Sequence, residues 1–225
     1  IQLNNSPNFV DYILDKPSVA EPGSLFNYNS GASHLLSAII YNTTGKKPLK
    51  FAREHLFTPL GITEINWRCD PDGIHYGGWG IALIPRDIAK FGYLYLNNGV
   101  WKGEKIISKD WIYKSTKKSF SLDLDADYGY HWWIDHNDAS IFFASGWGGQ
   151  RILILPKHKL TIIFTADLGN SITPYRMLID RYIVPSLKVN ASLYSSKECI
   201  ERYHSQGFIS KLLVRIKRLV ETKYI

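Results

Sequence analysis

The sequence predicts an α/β chain of the α+β kind, with an antiparallel sheet formed between residues 128 and 165 and backed by helices at 31–44, 49–57 and 86–96. Three observations carry this expectation. Helix-spaced apolar residues with start and stop signals fill the first half, and short β-branched and aromatic runs separated by turn residues fill 128–165. At 225 residues, 45% hydrophobic and 14% aromatic, the chain is also long enough to bury a sizeable core.

Near the start, Phe9, Val10, Tyr12, Ile13 and Leu14 have helical spacing, and Lys16-Pro17 and Glu21-Pro22-Gly23 end that helix in a turn. Ser30 or Ser33 is the expected cap of a helix that buries Leu35, Leu36, Ile39 and Ile40 and ends at Thr44-Gly45, which puts Tyr28 in the loop feeding a buried helix. Pro48 suits the first turn of a helix over Leu49–Phe57, and Pro59-Leu60-Gly61 stops it. Residues 62–85 read as irregular. Gly73, Gly77, Gly78 and Gly80 there permit close backbone approach to a ligand and Trp79 supplies a wall, although a turn-rich loop with no ligand fits the same residues. Further helices are expected over Arg86–Leu96, closed by Asn97-Asn98-Gly99, and around Lys109–Ser115.

Four strands come next: Tyr128–Asp135, Ala139–Ala144, Arg151–Leu155 and Leu160–Thr165. Asn137-Asp138 and Pro156-Lys157-His158-Lys159 supply turns that make them antiparallel neighbours. Residues 175–187 read as helix. Beyond them the chain is polar until Ile209, Leu212, Leu213, Ile216 and Leu219 mark one face of a basic helix. The expected division is therefore a main domain over 1–187 and a basic extension over 188–225.

The net charge is +7, but residues 186–225 hold eight Lys/Arg against three Asp/Glu and so carry most of it. A nucleic-acid interface needs its cations on the folded body, so none is expected. Lys211, Arg215, Lys217 and Arg218 suit peripheral contact with an anionic surface, or else the apolar face of that helix packs on the domain. Cys69 and Cys199 show no ligand or redox spacing and are ordinary thiols or a disulfide pair. Seven histidines without a His-Glu-x-x-His pattern imply neither metal nor cofactor. There is no run of about 18 apolar residues and no signal-peptide pattern at Ile1-Gln2-Leu3, and nothing in the sequence names a compartment.

Two segments hold the chemistry. Phe26-Asn27-Tyr28-Asn29-Ser30-Gly31 comes after a Pro-Gly turn, and Ala144-Ser145-Gly146-Trp147-Gly148-Gly149-Gln150 precedes an apolar strand. With helices first and antiparallel strands last, these segments resemble the Tyr-x-Asn/Ser loop and the Lys-Thr-Gly-like strand of the serine β-lactamase-like hydrolases, a group that includes class C β-lactamases, DD-peptidases, esterases and 6-aminohexanoate-oligomer hydrolases. The resemblance implies that Tyr28 relays a proton between a nucleophilic serine and the leaving group, with Ser30 at the Asn/Ser position. A phenol with a pKa of about 10 does this only beside a cation, which the lysine of the family's Ser-x-x-Lys motif would supply.

Trp147 stands where many relatives place Lys or His. This speaks against recognition of a β-lactam or D-Ala-D-Ala carboxylate and for an apolar or weakly polar acyl group. Gly148 and Gly149 would let the strand edge approach substrate, unless they form a simple glycine bulge, and the backbone N–H of Gln150 is the candidate oxyanion donor. Tyr76-Gly77-Gly78-Trp79-Gly80 resembles a cleft wall, with Trp79 as substrate contact. The aromatics of Tyr128–Trp133 read as sheet packing.

Family members place Ser-x-x-Lys well upstream of the tyrosine loop, whereas 27 residues precede Tyr28 here. The one literal match, Ser115-Thr116-Lys117-Lys118, lies downstream among solvated lysines and reads as chance. The expectation is thus an N-terminally incomplete serine hydrolase that cleaves an amide or ester through an acyl-enzyme. Its nucleophile and lysine lie outside these residues, which would be inactive alone. A second segment or a second copy of the chain is expected to cover the open sheet edge. The alternative is a non-catalytic relative that keeps the cleft as a binding module.

Overall fold

A computed structural model describes residues 6–122, 126–168 and 175–188. Asn8 caps α1 (Phe9–Leu14) by accepting from the Asp11 N–H, and Asn29 caps α2 (Ser30–Thr44) by accepting from the Ala32 N–H at 3.1 Å. The cap of α2 is therefore neither Ser30 nor Ser33. Ser30 is instead the first helical residue, and Gly45 in the left-handed conformation closes the helix. Its buried stripe also differs from the aliphatic one expected. Gly31, His34, Ser37 and Ala38 face inward, while Leu36 and Ile39 stay about half exposed.

After α3 (Pro48–Ala52) and a π-helical turn over Arg53–Phe57, the stretch expected to be irregular contains a small ladder, β1 (Asn66–Trp67) against β2 (Ile81–Ala82). Next in the chain is α4 (Pro85–Leu96). A hairpin the sequence did not announce, β3 (Val100–Trp101) with β4 (Glu104–Lys105), precedes α5 (Lys109–Thr116).

The main sheet has five antiparallel strands in chain order: β5 (Ala126–Tyr128), β6 (Trp133–Asp135), β7 (Phe142–Gly146), β8 (Gln150–Leu155) and β9 (Leu160–Phe164). The single strand expected over Tyr128–Asp135 is in fact the β5–β6 hairpin. The Tyr130 N–H is drawn to the Ser115 carbonyl of α5, and His131 sits at φ 62°, so the ladder cannot run through. The next strand starts late because Asp135 and Asp138 carboxylates bind the backbone N–H groups of Asn137, Asp138 and Ser140, an Asx-type turn that competes with pairing.

One face of this sheet packs on α4 and α5, where Tyr95, Ile112, Trp132, Ile134, Phe142 and Ile154 form a buried cluster. A second cluster of Phe57, Leu60, Ile62, Leu94 and Trp101 ties α4 to the segment before it and to β3 after it. Burying such side chains contributes roughly 1.5–3 kcal/mol each.

These elements form one compact unit up to Asp167, and a second begins at Leu168. The second unit contains α6 (Tyr175–Leu178), a π-helical turn over Ile179–Ile183 and α7 (Val184–Lys188), with Tyr175, Ile179 and Ile183 buried along one stripe. The basic helix expected around Ile209–Leu219 and Cys199 lie outside the described residues, and Cys69 is an exposed free thiol.

Candidate active site

Tyr28 immediately precedes the residue that caps α2, so the helix start fixes its backbone. Phe26 packs at 4.8 Å from the Tyr128 ring, while Tyr28 meets Tyr128 edge-on at 6.1 Å and stacks on Trp133 at 5.8 Å. Trp133 in turn stacks on Phe143, its register partner across β6 and β7, and the Arg151 guanidinium lies 4.9 Å over Phe143. The aromatic residues expected only to pack the sheet thus divide in two. Trp132 is buried in the core, whereas Tyr128 and Trp133 form the seat of Tyr28. Burial, with Tyr28 as neighbour, pushes the Tyr128 phenol up to about 12, so this ring stays neutral beside a Tyr28 that is 55% exposed.

A wall stands against the start of α2. The excursion from β1 to β2 is closed by the Trp67 indole donating to the Tyr76 carbonyl and by an Arg68–Gly80 backbone bond. Its tip lies on α2 with no space between. A Cβ on Gly77 would sit 2.1 Å from the Ser33 carbonyl oxygen, and one on Gly78 would sit 2.9 Å from the Ser30 carbonyl oxygen. These two glycines serve helix contact. Trp79 stacks on Tyr76 at 4.6 Å, and Tyr76 stacks on Phe9. Trp79 follows directly on Gly78, whose backbone lies against Ser30.

The third component is the β7–β8 hairpin. Trp147-Gly148-Gly149 forms its turn, with Gly148 at φ 75° and Gly149 at φ 99°, and Gly146 pairs with Gln150. The glycine-rich segment is therefore a reversal between two strands and not a bulge within one. Trp147 projects at 74% exposure. The Gln150 side chain is engaged with Ala166 just past β9, donating to its carbonyl and accepting from its N–H at 3.4 Å, so the side chain clamps the hairpin while the backbone N–H of Gln150 sits at the strand start. The link from Tyr28 to this turn runs through Trp133 and Phe143. Ser145 and Gly146 lie two and three residues further along β7, about 7–10 Å.

Ser115 is 1% exposed with its hydroxyl donating to the Ile112 carbonyl, and Lys118 is paired with Asp127 at 3.1 Å. Both groups of the literal Ser-x-x-Lys are thus occupied by the fold. Between Tyr28's neighbours and α5 lies an open groove of about 440 Å³ with Phe26, Leu36, Trp111, Phe120, Tyr128 and Tyr130 in its lining. Among the described residues no three His, Cys, Asp or Glu side chains converge as metal ligands would.

This geometry meets an independent finding. The Beta-lactamase family model matches residues 2–182. The chain belongs to the β-lactamase family. A 6-aminohexanoate-dimer hydrolase of Paenarthrobacter ureafaciens is 23% identical over 150 residues, covering 61% of this chain and 38% of that protein. A Bacillus anthracis structure provisionally assigned the same activity superposes with a TM-score of 0.72 at 26% identity, over 80% of this chain and 48% of the other. A family VIII carboxylesterase gives a TM-score of 0.65 at 16% identity, over 82% and 64%, and shows the shared fold alone. The chain thus spans less than half the length of the two hydrolase relatives, and as a β-lactamase-family chain it sits among the serine β-lactamase-like hydrolases with their mixed helix and antiparallel-sheet architecture.

One feature of this β-lactamase-family site is invisible in the sequence pattern. His34 and Asp70 are both 0% exposed, with Nε2 of the ring 2.9 Å from Oδ2 of the carboxylate. A helix read for its leucines and isoleucines hides this pair. The signal that could have found it is the small-residue stripe Gly31, His34, Ser37 and Ala38, which marks the tightly packed face.

Proposed function

We propose that the parent protein of this chain is a serine hydrolase that cleaves a short amide or ester through an acyl-enzyme, with the nucleophilic serine and its lysine supplied by sequence outside these 225 residues. The observation that carries the reading is the seat of Tyr28, an exposed phenol fixed by the capped start of α2 and stacked on the sheet beside the strand that leads to the glycine turn. Family membership supports it. In this reading Tyr28 passes the serine proton to the leaving group, Ser30 hydrogen-bonds in the same cluster, and the Gln150 N–H donates to the oxyanion.

Trp147, Trp79 and the glycines at 148 and 149 form the substrate contacts. The aromatic groove beside Tyr128 favours an apolar or weakly polar acyl chain over a carboxylate-bearing β-lactam, and the 6-aminohexanoate names of two relatives point the same way. Residues 1–187 act as the C-terminal portion of the hydrolase domain, with 188–225 as a basic extension, and a further segment or second copy covers the open sheet edge.

The test is turnover of p-nitrophenyl esters and nitrocefin by the full-length protein and by its Tyr28→Phe variant. Loss of about 10²–10⁴-fold in kcat with Tyr28→Phe is expected, the range for a positioned proton-transfer group. Unchanged turnover would remove Tyr28 from the chemistry. Silence of both proteins on esters and amides would leave the family's binding-module reading in its place.

A further inference from the structure

We propose that the buried His34–Asp70 pair is a positioning clamp that fixes the aromatic excursion between β1 and β2, and with it Trp79, against the catalytic end of α2. The inference rests on the hydrolase reading for its word catalytic, and on the geometry alone for the clamp.

The pair joins two segments that have no covalent reason to stay together. His34 lies one helical turn after Ser30 on the inward face of α2, so its ring reaches the excursion from beneath the tyrosine loop. Asp70 is a hub. Its Oδ2 faces the imidazole Nε2 at 2.9 Å, its Oδ1 accepts from the Ile74 N–H at 2.8 Å, and its backbone N–H donates to the Ile74 carbonyl at 2.9 Å. One carboxylate therefore closes the 70–74 turn and tethers it to the helix. A carboxylate accepts only, so Nε2 carries the proton. Nδ1 has no hydrogen-bond partner among the described residues, so the ring's one directed polar contact is with Asp70.

Two aromatic rings, stacked on each other at 5.7 Å, both turn toward the edge of the imidazole. Phe9 meets it edge-on at 5.5 Å and Tyr76 at 6.0 Å, and Tyr76 carries Trp79 on its outer face. A Cβ on Gly77 would come within 2.9 Å of the His34 Cα, which leaves no slack between clamp and wall. Withdrawing two ionisable groups wholly from water is costly, and apolar side chains of similar volume would stabilise as well. What the pair adds is one direction and one distance. His34 and Asp70 are positioning residues, acting through Tyr76 and Trp79.

The experiment uses the full-length protein containing these 225 residues. His34→Leu removes the donor at similar volume, Asp70→Asn keeps an oxygen for the Ile74 N–H, and His34→Gln keeps an N–H in place of Nε2. Two readouts are taken on each: amide hydrogen exchange of peptides from 66–82 against those from 150–164, and kcat and KM for a p-nitrophenyl ester. His34→Leu and Asp70→Asn are expected to speed exchange in 66–82 by about ten-fold while 150–164 keeps its rate, and to raise KM by about ten-fold with kcat within about two-fold. His34→Gln is expected to restore both readouts.

Equal acceleration in both regions, unchanged exchange in 66–82, or failure of His34→Gln to rescue would overturn the clamp. Faster exchange in 66–82 with unchanged KM would overturn its link to Trp79. If the wild-type protein turns over no ester or amide, the hydrolase reading falls and the exchange comparison alone decides the clamp.

Discussion

Two regions that the proposed function assigns to substrate contact, the β1–β2 excursion and the β7–β8 turn, are built on opposite terms. On the side of α2, the β1–β2 excursion is pressed onto the helix through glycines that leave no room for a methyl group, and a fully buried His–Asp pair and a run of stacked rings lie beneath it. On the side of the β7–β8 turn, Trp147 projects into solvent from a reversal held by left-handed glycines and one side-chain clamp at its base. The first side holds its position by packing. The second holds only its backbone and leaves the side chain free to meet what arrives. The difference teaches that glycine means two things in one chain. At 77 and 78 it serves close approach, and at 148 and 149 it serves conformation.

That contrast is broken most directly by adding a methyl group to each side. Gly77→Ala places a Cβ 2.1 Å from a backbone carbonyl that cannot move without α2, so a loss of about 3 kcal/mol or more is expected in urea unfolding of the full-length protein. Gly148→Ala meets nothing nearer than 3.8 Å and incurs only the left-handed conformation, about 1–2 kcal/mol. Equal losses would mean that the wall is no more tightly packed than the turn.

The sequence announced the two sides unequally. Helix positions, the order of the antiparallel strands and the tyrosine loop were legible because their signals are local: Gly45 closing α2, Pro85 opening α4, and the apolar run Ile152–Leu155. Two features were not. Tyr128–Asp135 reads as one strand because nothing nearby reveals that the Ser115 carbonyl will take the Tyr130 N–H. His34 reads as an interruption in an apolar helix because its partner lies 36 residues away, and because Leu36 and Ile39, the residues that looked most like core, face outward. Long-range pairing overrides local hydrophobicity in both cases. At 148 and 149 the run of glycines marks an unusual backbone, but not that it is a strand reversal, whose base is clamped by Gln150 to Ala166, 16 residues further on.

Trp147→Ala sharpens the comparison at the exposed end. At 74% exposure the side chain contributes little to the fold, so stability should stay within about 0.5 kcal/mol. Under the proposed function kcat/KM for an apolar ester should fall about ten-fold, mostly through KM. A drop in stability without a change in KM would make Trp147 a packing residue. Gln150→Ala removes both side-chain contacts with Ala166 and is expected to cost about 0.5–1.5 kcal/mol without reaching the wall.

The smallest expected effect lies at the other end of β7, in the turn where Asp138 is bound by the Ser140 hydroxyl, Lys157 and the Ser140 N–H. These contacts outweigh burial and hold its carboxyl down at about 2. A folded value below the ordinary carboxylate value means stability that is present above about pH 4 and drains away as pH falls toward 2. Because Lys157 is exposed and screened, this amounts to less than about 1 kcal/mol. Asp138→Asn should therefore flatten that part of the stability–pH curve by a small step and leave neutral-pH turnover unchanged. Exchange in 66–82 should not respond to it. The turn feeds the strand that carries the hairpin, whereas the wall is anchored to α2, and a response there would mean that the two sides are one mechanical unit after all.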